Sequence, residues 1–190
     1  VTEPLGVLLA GGTSRRMGTD KPLVELAGRP LLHYPLAALE AVLAEVVVVC
    51  KEHTPLPDVA GRAAIWCEPE PDRHHPLLGV RAALRSAPGR TVLVVAGDLP
   101  LVAPDDLRAL LAGDAERVVV GRAAGRLQPL LARYPPSALA ALDAMAPDEA
   151  ATAVVARLEP LIVDLGERAA FNVNVPEDLL QASALLASRT

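Results

Sequence analysis

The 190-residue chain, 52% hydrophobic and 22% charged, is long enough to bury a full core as one domain and too apolar for a disordered segment. A net charge of −5 and an aromatic content of 2% argue against a general nucleic-acid binder, which needs a cationic surface and stacking platforms. No charged segment precedes an apolar signal stretch and no run of about 18 apolar residues occurs, so a cytoplasmic protein without membrane contact is expected.

The apolar run 5–10 has the length of a buried strand and ends in Gly11-Gly12, where no side chain stands between backbone and ligand. Successive backbone N–H groups in such a turn form a concavity for an anion, and Arg15, Arg16 and Lys21 surround it with positive charge. The spacing is not that of a Walker A loop, because Gly18 is followed by Thr19-Asp20-Lys21, and the three glycines do not fit G-x-G-x-x-G. An ordinary strand-to-helix turn with solvated arginines remains the bland alternative. Lys21 and Lys51 are the only lysines among 18 basic residues, which suggests that a compact ammonium is wanted in the loop.

A short extended piece closed by a turn at Gly28 follows, and Pro30 is placed to open a helix over 30–44. The four valines within 45–50 read as a buried strand of a parallel sheet, with a third strand at 63–67. A Pro-rich loop then enters a helix at 77–86. Further strands are expected at 91–96, 116–121, 127–134 and 161–164, with a turn at 123–126, and helices at 104–111, 136–145 and 148–157. Residues 171–179 lead into a final amphipathic helix to about 188. This alternation predicts a three-layer α/β/α Rossmann-like domain with a mostly parallel sheet, binding its ligand beyond the strand carboxyl ends.

Asp98 follows the apolar strand 92–96 and so belongs at the same sheet edge as Gly11-Gly12. A carboxylate there suits Mg²⁺, which takes oxygen ligands completed by substrate phosphates; an Asp closing a turn before Pro100 is the structural alternative. Asn172 and Asn174, two apart in an extended segment, can direct both amides at one cleft, or the segment can serve as a cap for the final helix. His74 and His75 have no third ligand at useful spacing and read as solvated loop histidines. Cys50 and Cys67 form no C-x-x-C pair and read as small buried hydrophobes at strand ends. Ser14 has no identifiable base partner and no Gly-x-Ser-x-Gly elbow occurs, which argues against a serine hydrolase.

The string Leu-Ala-Gly-Gly, Ser14, Arg16-Met17-Gly18, Asp20-Lys21, together with Gly97-Asp98-Leu99-Pro100 and Phe-Asn-Val-Asn-Val-Pro-Glu-Asp-Leu at 171–179, resembles the molybdenum cofactor guanylyltransferase family. That family has the GT-A-like nucleotidyltransferase fold and Gly-Gly where its cytidylyltransferase relatives usually have Ala-Gly. The resemblance implies transfer of GMP from GTP to the terminal phosphate of molybdenum-molybdopterin, with release of pyrophosphate. It implies that Leu9, Ala10, Gly11, Gly12, Ser14, Lys21 and Asp98 hold the nucleotide, that Arg16, Lys21 and Asp98 are also catalytic, and that Asp98 and Asn174 hold Mg²⁺. Gln128, Asn172 and Asn174 fall on the acceptor side. Other molybdenum cofactor biosynthesis proteins or target molybdoenzymes are the implied protein partners. Two departures stand out: Val175 replaces the more usual threonine, and His75 stands where a glycine is expected. A cytidylyl- or sugar-phosphate nucleotidyltransferase of the same fold, and an idle cofactor carrier, are the readings kept beside it.

Overall fold

Five-residue apolar runs make the centre of the structure, a computed structural model that describes residues 2–10, 21–59, 63–67 and 75–188. Strands β1 (Leu5–Leu9), β4 (Val46–Cys50) and β6 (Val92–Ala96) pair in parallel, with Val7 opposite both Val47 and Val94. Each is buried on both faces, which is why hydrophobic residues run continuously rather than alternating with polar ones. A small antiparallel hairpin, β2 (Glu25–Leu26) and β3 (Arg29–Pro30), lies between β1 and helix α1 (His33–Glu40). The remaining elements are β5 (Ala64–Cys67), α2 (Leu78–Ser86), α3 (Pro104–Leu111), β7 (Val119–Ala123), β8 (Arg126–Tyr134), α4 (Leu139–Asp143), α5 (Ala151–Arg157), β9 (Leu161–Asp164) and α6 (Pro176–Ala187).

The main sheet has the order β5-β4-β1-β6-β8-β7-β9, antiparallel where β8 meets β6 and β7 and parallel elsewhere. Helix α2 with α4 and α5 covers one face, where Leu5, Val7 and Leu9 meet Leu84, Leu142 and Val154. Helices α1 and α3 cover the other, where Leu8, Val48 and Val95 meet Leu36, Leu39 and Leu107. The three-layer α/β/α architecture and the mostly parallel sheet are therefore as expected. A separate cluster of Leu26, Leu31, Val173 and Ala182 fastens the hairpin to α6.

The chain leaves β1 toward β4 and β5, then returns to place β6 on the other flank of β1. That reversal is a topological switch point, and open α/β sheets bind ligands in the crevice such a point creates. The Gly97 N–H donates to Leu9 O at 2.9 Å, bringing the ends of β1 and β6 together. A Cβ on Gly97 would stand 2.6 Å from Leu32 Cδ1 and 3.0 Å from Leu9 O. Gly97→Ala is accordingly expected to cost about 1–3 kcal/mol, the usual penalty of overpacking, measured as a lower urea midpoint.

Several boundaries differ from the sequence expectation. Pro30 does not open α1: it pairs with Glu25 in the hairpin, Leu31 N–H donates to Val24 O, and the helix begins at His33. The helix also ends at Glu40 rather than 44. The helix expected at 136–145 is a 3₁₀ turn, Pro136–Ala138, followed by the shorter α4, and α5 starts at Ala151. The hairpin turns fall where glycine signalled them. Ala27-Gly28 and Ala124-Gly125 all have positive φ, the pattern of type I′ turns that match strand twist. Cys50 is buried, but Cys67 is exposed, because β5 is the edge strand.

An irregularity interrupts the pairing of β7 with β8: Val120 is opposite Ala132, whereas Gly121 is opposite Gln128. Pro129, which lacks an N–H, sits in the extra length, and its carbonyl accepts from the fully buried Tyr134 hydroxyl at 2.7 Å. Burial pushes the Tyr134 phenol far above its ordinary pKa. The folded chain thus retains this proton where the unfolded phenol, with a pKa of about 10, loses it. The stability tied to that proton is complete below pH about 10 and falls as the pH rises above it. Tyr134→Phe is expected to cost about 1 kcal/mol at neutral pH and to flatten the alkaline decline, read from urea unfolding across that range.

Candidate functional site

Lys21 opens a 3₁₀ turn, Lys21–Leu23, just before the hairpin, and its side chain returns to the crevice at the ends of β1 and β6. Its Nζ donates to Asp98 Oδ2 at 2.7 Å and to Asn174 Oδ1 at 2.8 Å. Asp98 and Asn174, 77 and 153 positions beyond Lys21, thereby share its ammonium. Lys21 and Asp98 are 16% and 24% exposed, shielded enough to strengthen the ion pair yet still open to a ligand.

Asp98 is held on both sides of its peptide. Gly97 is tied to β1, and the Asp98 carbonyl accepts from Val173 N–H at 3.1 Å. Val173 is fully buried in the cluster that anchors α6, so residues 172 and 174 are turned away from that core. Asp178 Oδ2 accepts from Asn174 N–H at 2.7 Å and from Val175 N–H at 3.0 Å. This carboxylate in the first turn of α6 orients the Asn174 peptide as well as closing the helix start. In the sequence Asp178 stands only as part of the 171–179 motif leading into the final helix, and its bond to the Asn174 peptide is not legible there.

One polar atom in this arrangement is unsatisfied. Asp98 Oδ1 is buried and has no hydrogen-bond partner among the described residues. An ionised carboxylate oxygen without a partner is costly unless a cation or donor joins it. Asp98 Oδ1 therefore has the chemistry of a hard-cation ligand, and Asn174 Oδ1 lies across the same ammonium. No group of three or more His, Cys, Asp or Glu placed to hold a metal ion occurs among the described residues.

Asn172 and Gln128 meet in a cavity of about 670 Å³ that also takes Arg126, Thr152 and Glu167 into its wall. Gln128 Nε2 donates to Arg126 O at 3.3 Å, and the irregularity beside Pro129 sets where Gln128 lies on β8. Arg126, Thr152 and Glu167 were not singled out from the sequence. Their signal was weak, since one is the first residue of β8 after the turn and the others lie on a short helix and a 3₁₀ turn.

Leu9 ends β1 and Ala10 follows it, its N–H donating to Val49 O at 2.9 Å. Gly11, Gly12, Ser14 and Arg16 lie outside the described residues, as does His74. His75 is not merely solvated. Its Nδ1 accepts from Leu77 N–H at 3.1 Å, which puts the ring proton on Nε2, 2.7 Å from the Glu149 carbonyl it donates to. The imidazole thus joins the entrance of α2 to the turn before α5, where a glycine would leave the two unlinked.

Residues 6–161 match the MobA-like NTP transferase domain family. A probable molybdenum cofactor guanylyltransferase of Chloroflexus aggregans is 34% identical, with 95% of this chain and 94% of that protein covered. The molybdenum cofactor guanylyltransferase of Cereibacter sphaeroides is 36% identical over 95% and 96% of the two chains. Among solved structures, molybdopterin-guanine dinucleotide biosynthesis protein A of Archaeoglobus fulgidus superposes with a TM-score of 0.74 at 25% identity, covering 97% of this chain and 99% of its own. The 2-C-methyl-D-erythritol 4-phosphate cytidylyltransferase of Thermus thermophilus, at 22% identity and a TM-score of 0.68, shares the fold.

Proposed function

The chain belongs to the MobA-like NTP transferase family and, within it, to the molybdenum cofactor guanylyltransferases; from this we infer that it transfers GMP from GTP to molybdenum-molybdopterin. The acceptor's terminal phosphate attacks the α-phosphorus of GTP, a new phosphoanhydride forms, and the α–β bond breaks to release pyrophosphate. Such transfers are accomplished mainly by positioning and charge stabilisation. The observation that carries the assignment of roles is the Lys21 ammonium bridging Asp98 and Asn174 at the sheet's switch point, beside a buried carboxylate oxygen that has no partner among the described residues.

We assign both substrates to one domain. The nucleotide lies against Leu9, Ala10 and the following Gly11, Gly12 and Ser14, with its phosphates toward Lys21 and Arg16. Asp98 Oδ1 and Asn174 Oδ1 would hold Mg²⁺, which supplies charge neutralisation across the phosphates when bound. Lys21 neutralises the charge that accumulates on departing pyrophosphate. Gln128 and Asn172 take the acceptor in the 670 Å³ cavity, a size suited to a compact organic ligand. Arg126 in its wall supplies a cation for the acceptor's phosphate and Glu167 an acceptor for ring N–H groups. Cytoplasmic location, and hand-over to other cofactor-biosynthesis proteins or target molybdoenzymes, follow from this reading. No described helix is long and apolar enough to cross a membrane.

The decisive assay follows pyrophosphate release from GTP and from CTP, each with Mg²⁺ and molybdenum-molybdopterin. Turnover with GTP well above that with CTP is expected. A preference for CTP would sink the guanine assignment, and binding of GTP without turnover would reduce the protein to a carrier.

A further inference from the structure

The two cysteines, 17 positions apart in sequence, are direct cross-strand neighbours: Cys50 ends β4, Cys67 ends β5, and the register pairs them. Val49 and Trp66, the pair before them, both face the core beneath α2. Side chains alternate along a strand, so the two thiols share the opposite face. Neighbouring strands lie about 4.8 Å apart, within the Cα separation of about 4.4–6.8 Å that a disulfide spans. Cys50 is 3% exposed and packs among Leu8 and Val48, whereas Cys67 is open to solvent on the edge strand.

We propose that Cys50 and Cys67 form a reversible dithiol site that reacts with low-molecular-weight disulfides and closes into an intramolecular disulfide between β4 and β5. The asymmetry of exposure orders the steps. The Cys67 thiolate attacks one sulfur of RSSR, making a mixed disulfide and releasing one RS⁻. The Cys50 thiolate then attacks the Cys67 sulfur, forming the protein disulfide and releasing the second RS⁻. The two protein thiol protons end on two RSH, and two electrons pass from the cysteines to RSSR.

Burial, and secondarily the charge of Cys67, push the Cys50 thiol above its ordinary range. This keeps Cys50 from reacting first. Conversion of Cys67 to a mixed disulfide removes the second of these causes, so the first step favours ionisation of the thiol needed for the next. The site also adjoins the crevice: Val49, the residue before Cys50, pairs with Leu9 at the end of β1. Neither residue belongs to the nucleotide reading, and the inference stands apart from it.

The test incubates the purified, reduced chain with oxidised glutathione and reads thiol content and intact mass. The expected product has lost both thiols and the mass of two hydrogen atoms, carries no adduct, and is restored by dithiothreitol. Cys50→Ser should instead retain a glutathione adduct on Cys67, and Cys67→Ser should take up none. If Cys50→Ser does not fold, the wild-type mass and the Cys67→Ser variant decide the matter. A stable adduct on wild-type Cys67 with Cys50 still alkylatable after denaturation would overturn the proposal. So would disulfide-linked dimers, or two thiols left untouched.

Discussion

Lys21→Ala is expected to lower kcat for pyrophosphate release by on the order of 10²-fold or more, the loss seen when one preorganised charge-stabilising group is removed. The ammonium sits at the meeting point of Asp98 and Asn174, 2.7 and 2.8 Å from their oxygens, so little reorganisation is needed when phosphate charge develops beside it. Its removal also leaves the partly buried Asp98 carboxylate without its cation. Lys21→Arg should rescue only a fraction of the rate, because a planar fork does not reproduce a compact ammonium between two acceptors. The check is steady-state turnover with GTP and acceptor, alongside far-UV circular dichroism to verify folding. A folded Lys21→Ala enzyme with unchanged kcat would refute the assignment.

Asp98→Asn should cost on the order of 10²–10³-fold in kcat at fixed Mg²⁺ and shift the Mg²⁺ dependence to higher concentration. The amide keeps the shape of the side chain and an oxygen for Lys21, but it no longer offers the negative charge that an unsatisfied buried Oδ1 presents to a cation. The backbone bonds from Gly97 to Leu9 and from Val173 to the Asp98 carbonyl remain available, so the fold should persist. A Mg²⁺ titration of turnover, with urea unfolding in parallel, separates the outcomes. Wild-type Mg²⁺ dependence would remove Asp98 as the metal carboxylate. Unfolding at room temperature would instead favour the turn-closing role that an Asp before Pro100 can serve.

The sheet edge was legible because β1, β4 and β6 are runs of apolar residues of strand length, each stopped by a residue suited to a turn or a site. The type I′ turns at Gly28 and Gly125 were legible for the same local reason. Pro30 misled, because its fixed φ suits a hairpin strand as well as a helix start, and only the pairing with Glu25 decides between them. The shortened α4 and α5 reflect a similar competition, in which turns beside Pro136 and Glu149 take residues that propensity assigns to helix.

The sequence alone determined the α/β alternation, the carboxyl-edge placement of Lys21 and Asp98, and the family, since these rest on residues near one another in the chain and on hydrophobic spacing. The tertiary structure alone decided which distant groups meet. Lys21 takes Asn174 as a second acceptor across 153 positions, and Asp178 orients that asparagine through its peptide. Cys50 and Cys67 become neighbours through strand register, His75 becomes a link to Glu149, and Asp98 Oδ1 is left without a partner among the described residues. The physical reason is common to all of them: periodicity and propensity are local, whereas register, helix packing and burial depend on how the whole sheet is assembled.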